Sequence, residues 1–76
     1  MKQVLEIIAK SLVDHPEAVS INEVVGDDSV TLELRVDESD MGKVIGKQGR
    51  IAKSIRTIIK AASSKEDKRV IVDIVQ

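Results

Sequence analysis

The stretch Val44–Ala52, VIGKQGRIA, decides how the rest of this 76-residue chain is read. Two of the chain's four glycines, Gly46 and Gly49, stand three positions apart in it and enclose Lys47 and Gln48. The aliphatic pair Val44-Ile45 precedes them and Arg50 follows. Glycine accepts left-handed backbone and lets another backbone approach without meeting a Cβ. Two readings of GKQG are therefore open. One is a connector between helices, with the glycines serving only as caps. The other is a holder for a phosphate backbone, with the N–H groups and dipole of the following helix favouring an anion and Lys47 and Arg50 adding charge beside it.

The flanks of the loop read as helices. Ser39 or Asp40 can cap a short helix over 40–45, which GKQG interrupts. A longer helix follows. Ile51, Ala52, Ile55, Ile58, Ile59 and Ala62 form one stripe on it, and Arg50, Lys53, Thr57 and Lys60 another. Further out, Leu5, Ile8, Ala9 and Leu12 repeat at helical spacing over 2–13, and Pro16 closes that element. Val30, Leu32, Leu34 and Val36 alternate with Thr31, Glu33 and Arg35, the period of a half-buried strand. A weaker run at Ser20–Val25 has Ile21 and Val25 as its inward residues, and Gly26-Asp27-Asp28-Ser29 turns one run into the other. After the polar SSKEDK, Val70, Val72 and Ile74 alternate as a last strand.

The predicted order is α-β-β-α-α-β. An antiparallel hairpin is joined to the last strand through two helices, a connection long enough for a parallel crossover, which would be right-handed. The fold class is α+β: a two-layer sandwich in which helices cover one face of a three-stranded mixed sheet. No linker or repeat divides the chain, so residues 1–76 read as a single domain.

Composition limits what such a domain does. The chain has no cysteine, so no disulfide, and no metal-ligand cluster; no cofactor is implied. The one histidine, His15, precedes Pro16 and has no Ser/Asp or Cys partner in pattern, so it reads as a surface residue and the chain as non-enzymatic. Asp27-Asp28 is turn chemistry. Without Phe, Tyr or Trp, bases cannot stack on aromatic rings. The amino-terminal stretch lacks a signal-peptide pattern, and no apolar run approaches the ~20 residues of a membrane span. A soluble, cytoplasmic domain is expected, with no membrane or small-molecule substrate.

Net charge is −1, yet its distribution is uneven. Residues 1–40 carry three basic and ten acidic side chains, a net of −7. Residues 41–65 carry Lys43, Lys47, Arg50, Lys53, Arg56, Lys60 and Lys65 with no acid, a net of +7. Local field matters more than total charge in so small a domain.

Known glycine loops other than a backbone clamp fit poorly. A P-loop needs a glycine where Met41 stands and Ser or Thr where Gln48 stands. A dinucleotide fingerprint needs three glycines at another spacing. A helix-turn-helix reader would expose its second helix in a major groove, whereas this helix has a broad Ile/Ala stripe that must pack.

VIGKQGRIAKSIRTIIKAA resembles the core of a KH domain, with its aliphatic-Ile-Gly-x-x-Gly segment and basic helix. The element order resembles the type II arrangement, and the resemblance extends over nearly the whole chain, most of all to the small bacterial single-KH proteins of the KhpA type. It implies a single-stranded RNA partner whose backbone is clamped by Gly46, Lys47, Gln48 and Gly49. It further implies that Val44, Ile45 and Ala52 form an aliphatic floor and wall, that Arg50 and Lys53 meet phosphates or base edges, and that the strand from Arg69 forms the far edge. Ala52 departs from the large aliphatic found at that position in many KH domains, and the segment Ser63–Lys68 matches a short variable loop. The implied role is post-transcriptional regulation or RNA chaperoning, as a homodimer or in complex with a larger KH-containing protein of the KhpB type. The competing class is a protein-interaction module that uses the KH surface as an adaptor or dimer interface. Val24, Ile71 and Val75, out of phase with the core residues of their strands, are its candidate contacts.

Overall fold

The computed structural model describes residues 1–75; Gln76, the last residue of the predicted 1–76 domain, lies outside the described residues. The elements are α1 (Lys2–Leu12), β1 (Ser20–Val25), β2 (Ser29–Arg35), α2 (Met41–Ile45), α3 (Arg50–Ala62) and β3 (Arg69–Ile74). Single 3₁₀ turns at Pro16–Ala18, Glu38–Asp40 and Lys47–Gly49 join them. The sheet order is β1-β2-β3. β1 and β2 pair antiparallel, Ile21 opposite Leu34 and Val25 opposite Val30; β2 and β3 pair parallel, Val30 opposite Val70 and Leu34 opposite Ile74. The sheet is thus mixed, and the crossover between its parallel strands carries α2, the glycine loop and α3.

One hydrophobic cluster joins the layers. Leu5 and Ala9 come from α1, Ile21 from β1, Leu32 and Leu34 from β2, Ile55 and Ile59 from α3, and Val72 from β3. On β2, alternation puts Leu32 and Leu34 out of solvent while Arg35, in the opposite phase, is exposed. Burying a leucine or isoleucine fully contributes about 1.5–3 kcal/mol, so Leu5, Leu32, Leu34 and Ile59, each with no exposed surface, dominate this small core.

Three expectations are corrected at the margins. Val25 is 61% exposed, not inward, because β1 is an edge strand and α1 covers only its Ile21 end. Ile58, 49% exposed, and Ala62, also exposed, fall outside the buried stripe of α3, which is Ala52, Ile55 and Ile59. Each residue turns about 100° around a helix, so Ile58 sits on the flank of the face that Ile59 presents. The third concerns the cap at 39–40. Neither Ser39 nor Asp40 caps α2 with its side chain. Asp37 instead accepts the Ser39 N–H at 2.9 Å and its hydroxyl at 2.7 Å, which caps the start of the Glu38–Asp40 turn.

Asp40 is turned inward and has no exposed surface. Its carboxylate accepts the backbone N–H of Asp14 at 3.2 Å and of His15 at 3.0 Å, and the Lys43 ammonium at 3.1 Å. Lys43 also pairs with Asp14. The segment that leaves α1 is thereby tied to the start of α2. Burial by itself would push the Asp40 carboxyl up, but the Asp14 N–H, Lys43 and the His15 N–H together outweigh it and hold the group below the ordinary carboxylate range. Hydrogen bonding to Asp14, then to Asp40, raises the Lys43 ammonium in turn. A carboxyl depressed in the folded state stabilises fully above its unfolded pKa, about 3.9, and that stabilisation is lost as pH falls through the lower folded value. Thermal melts between pH 2 and 7, a range bracketing about 3.9, are expected to show this loss. Asp40→Asn should melt lower at neutral pH, because its amide sets an N–H against a backbone N–H, and should have a shallower acid limb. An unchanged melting temperature in that variant would refute the tie.

Candidate functional site

α2 is five residues long and ends where its helical path cannot continue. Gly46 has φ 76° and ψ 175°, a region open in practice only to glycine. A Cβ built there would lie 2.6 Å from Ile51 Cγ1 and 2.9 Å from its Cβ and Cδ1. Ile51 is itself packed against the core, so it cannot retreat. The Gly46 N–H donates to the Gly42 carbonyl at 2.8 Å, and the Gly49 N–H to the Gly46 carbonyl at 3.2 Å. Gly49, with φ 73° and ψ 16°, is left-handed and begins α3. Between the two glycines Gln48 is also left-handed, with φ 59° and ψ 24°. That conformation costs a non-glycine residue about 1–2 kcal/mol. The loop thus projects Lys47 and Gln48 as an exposed tip.

The tip stands at the amino end of α3, a 13-residue helix with no acidic residue in its first turn. The positive end of the helix dipole lies there, among N–H groups that lack intrahelical acceptors. The Arg50 N–H is taken by the Lys47 carbonyl. The Arg50 guanidinium leans over the loop, its Nη2 3.5 Å from Gln48 Oε1. Arg50, Lys53 and Lys60 are exposed along α3, and among the described residues neither they nor Lys47 make a salt bridge.

The structure divides the predicted aliphatic set. Val44 has no exposed surface and Ala52 is 4% exposed, so both are buried, whereas Ile45 is half-buried. Sequence reasoning missed two features of the charge pattern. Lys43 belongs to the acid-free stretch in sequence, yet Asp14 and Asp40 flank it in space. Arg56 reaches from α3 to β3 and donates its Nε–H to the Val72 carbonyl at 3.2 Å, bridging the helix to the edge strand. Asp40 is three residues from Lys43, a local spacing, whereas Asp14 and the Arg56–Val72 contact are brought in by the tertiary fold. A shallow cleft at the far end of α3, lined by Lys60, Lys68 and Arg69 but also by Glu66 and Asp67, is mixed in charge. Among the described residues no group of three or more His, Cys, Asp or Glu side chains could hold a metal ion, and no helix is long and apolar enough to cross a membrane.

Comparison with known proteins adds to this geometry. The family model described as KhpA/KhpB, KH domain, matches residues 2–74. The RNA-binding protein KhpA of Clostridium perfringens is 65% identical over 75 residues, covering 99% of this chain and 100% of that protein. KhpA of Clostridium acetobutylicum is 67% identical over 75 residues with the same coverage. KhpA of Listeria monocytogenes is 50% identical over 76 residues and covers both chains fully, at 100%. Among solved structures, Aquifex aeolicus Era bound to GDP.AlF4- superposes with a TM-score of 0.66 at 18% identity, over 96% of this chain and 28% of that one. Era in complex with MgGDPNP and nucleotides of 16S ribosomal RNA gives 0.60 at 19% identity, over 96% and 28%. At those identities the likeness to Era is one of fold.

The two loop glycines are predicted to differ in what they tolerate. Gly49→Ala meets no atom within 4 Å, so it should lose only the left-handed penalty, about 1–2 kcal/mol. Gly46→Ala incurs a conformational penalty of about 1–3 kcal/mol and also the overlap with Ile51. Urea denaturation should therefore rank Gly46→Ala clearly below Gly49→Ala, and equal midpoints would contradict the packing described.

Proposed function

We propose that this chain, which belongs to the KhpA/KhpB family of KH domains, is a non-catalytic protein that binds single-stranded RNA through the loop Gly46–Gly49. The observation that carries the reading is the exposed Lys47-Gln48 tip, held between two positive-φ glycines at the amino end of α3. A strand whose phosphates run past this tip meets helix N–H groups, Lys47 and Arg50 on one side. Its bases turn toward the half-buried Ile45, with Val44 and Ala52 buried nearby in sequence, while Lys53 continues the charge along α3. The relatives named RNA-binding protein KhpA match this chain from end to end, which supports carrying their named property to it. On this reading the protein works in the cytoplasm as a post-transcriptional regulator or RNA chaperone.

The test is the double substitution Lys47→Asp, Gln48→Asp. It should abolish binding to an unstructured RNA oligonucleotide with little change in melting temperature, since both side chains are exposed. For the wild type, contact with about three phosphates gives a slope of log K against log salt of roughly −2. Retained affinity in the double variant would remove the clamp; a slope near zero would remove the phosphate contacts.

A second reading, a module that pairs with another KH copy or with a KhpB-type partner, is favoured by apolar surface left uncovered. On the helix-free face of the sheet, Val24 pairs with Thr31 and Thr31 with Ile71. Val24 is 46% and Ile71 38% exposed, while Val75 is half-buried. Ile58 adds a second exposed site on α3. Light scattering across a concentration series should show a homodimer. Ile58→Asp and the pair Val24→Asp, Ile71→Asp then assign it to the helical or the sheet face. A chain that stays monomeric throughout would exclude self-pairing.

A further inference from the structure

The sheet has two edges, and the fold treats them differently. β3 forms one. The Arg69 N–H donates to the Asp28 carbonyl and the Val75 N–H to the Leu34 carbonyl, so Val70, Val72 and Ile74 turn their backbone groups away from β2. Arg56 lies across that edge and donates its Nε–H to the Val72 carbonyl. β1 forms the other edge. The Gly26 N–H donates to the Ser29 carbonyl at 2.7 Å, which makes these two a hydrogen-bonded pair. Such pairs alternate along an antiparallel ladder. Asn22 and Val24 therefore bond to β2, while Ile21, Glu23 and Val25 turn their N–H and C=O groups outward. Proteins commonly blunt an edge of this kind with lysine, proline or a bulge. β1, SINEVV, has neither residue, and its register with β2 runs unbroken. Val24 and Val25, on its two faces, are 46% and 61% exposed.

Charge selects what such an edge receives. From Ser11 to Leu34 the chain carries six acidic residues and no lysine or arginine. Glu23 stands at the middle of the edge and is exposed. Glu33 pairs with Asn22, whose Nδ2 is 3.0 Å from its carboxylate, and Asp27-Asp28 form the turn at the end of the strand. Lys68 reaches that turn and donates to the Gly26 carbonyl at 2.9 Å. A second β1 would add its own acids to the seam, and an RNA strand its phosphates; like charges side by side are unfavourable. A strand that alternates lysine or arginine with β-forming residues supplies the opposite charge, and its backbone completes the outward groups of Glu23 and Val25.

We propose that β1 is a docking edge for a cationic, extended segment of another protein, which joins the sheet as a fourth strand and sets its positive side chains against Glu23 and the Asp27-Asp28 turn. The edge lies apart from the glycine loop, so the inference stands whether or not the loop holds RNA.

Three probes test it, each as long as β1. The first is a peptide that alternates lysine with valine or threonine. The second carries glutamate in place of lysine. The third is the lysine peptide with every backbone nitrogen methylated, which keeps the charge and removes the N–H donors. Each is titrated into the full chain, with amide hydrogen exchange followed residue by residue. The lysine peptide is expected to bind and to slow exchange at Glu23 and Val25. The other two should bind at least about tenfold more weakly, equivalent to about 1.4 kcal/mol. Glu23→Lys should lose affinity by a similar factor with its melting temperature kept, since the side chain is exposed. Val25→Pro removes an outward N–H from an edge strand, where proline is tolerated, and should also bind less. The Lys47→Asp, Gln48→Asp variant should bind the peptide as the wild type does. Equal binding of the methylated peptide overturns the inference by reducing it to charge attraction. So does no binding of the lysine peptide, full affinity in Glu23→Lys, or protection confined to residues away from β1. Protection of Glu23 and Val25 that rises with protein concentration and needs no peptide gives the edge to a second copy, and overturns it too.

Discussion

A buried carboxylate, that of Asp40, sets where the glycine loop stands. α2 has five residues, too few to persist alone, since helix nucleation is unfavourable and only length repays it. Its position is imposed from outside at three points. Asp40 joins its start to the backbone of Asp14 and His15, Val44 inserts its side chain into the interior, and Gly46 seats against Ile51 at its end. The first is a charge with no exposed surface, tolerable because three donors surround it. A hydrophobic contact at that point would have held α2 without choosing its orientation; two N–H groups aimed at two carboxylate oxygens choose it.

With α2 fixed, the loop has little freedom left. Its turn needs three positive φ values in four residues, at Gly46, Gln48 and Gly49, and glycine supplies two. The third falls on Gln48, whose strain of about 1–2 kcal/mol is held by neighbours that admit no other path. Charge follows the same division. The acidic first half of the chain supplies the tie, and in doing so it pairs Lys43 beside the loop, while Lys47, Arg50 and Lys53 stay exposed around it.

Periodicity made most of the fold legible. The repeat in α1, the alternation of Val30 to Val36 and of Val70 to Ile74, and the helical stripe after Gly49 all appear as the elements they describe. Where it misled, the residue sat at a boundary. Val25 has the inward phase but lies beyond the reach of α1, and Ile58 has the right spacing but the wrong side of the stripe. The geometry of the candidate site was legible where glycine is required by the backbone, and not where it depends on distant partners. Nothing near Asp40 in sequence announces that its acceptors face residues 14 and 15 instead of the α2 start. Nothing about Gln48 distinguishes it from Lys47, yet it alone of the pair is left-handed. Val44 and Ala52, read as groove surface, are buried, because apolarity marks burial without saying from which side a residue is covered.

The absence of aromatic residues has a consequence for how such a site binds. Stacking on an aromatic ring contributes about 1–3 kcal/mol per base, and this chain has no ring to offer. Under the proposed function its contacts are a backbone turn, a helix end, a few cations and one half-buried isoleucine, all indifferent to base identity beyond size and edge. Under the proposed function, affinity for one short segment is then small and mostly electrostatic, and a second binding surface on the same complex multiplies it through effective concentration. The sheet face opposite the helices is free to make that second contact without obstructing the loop, since the Val24–Thr31–Ile71 row and the Lys47-Gln48 tip belong to separate layers of the sandwich. Pairing and RNA binding are in that sense compatible demands on one small domain, each using a layer the other leaves uncovered.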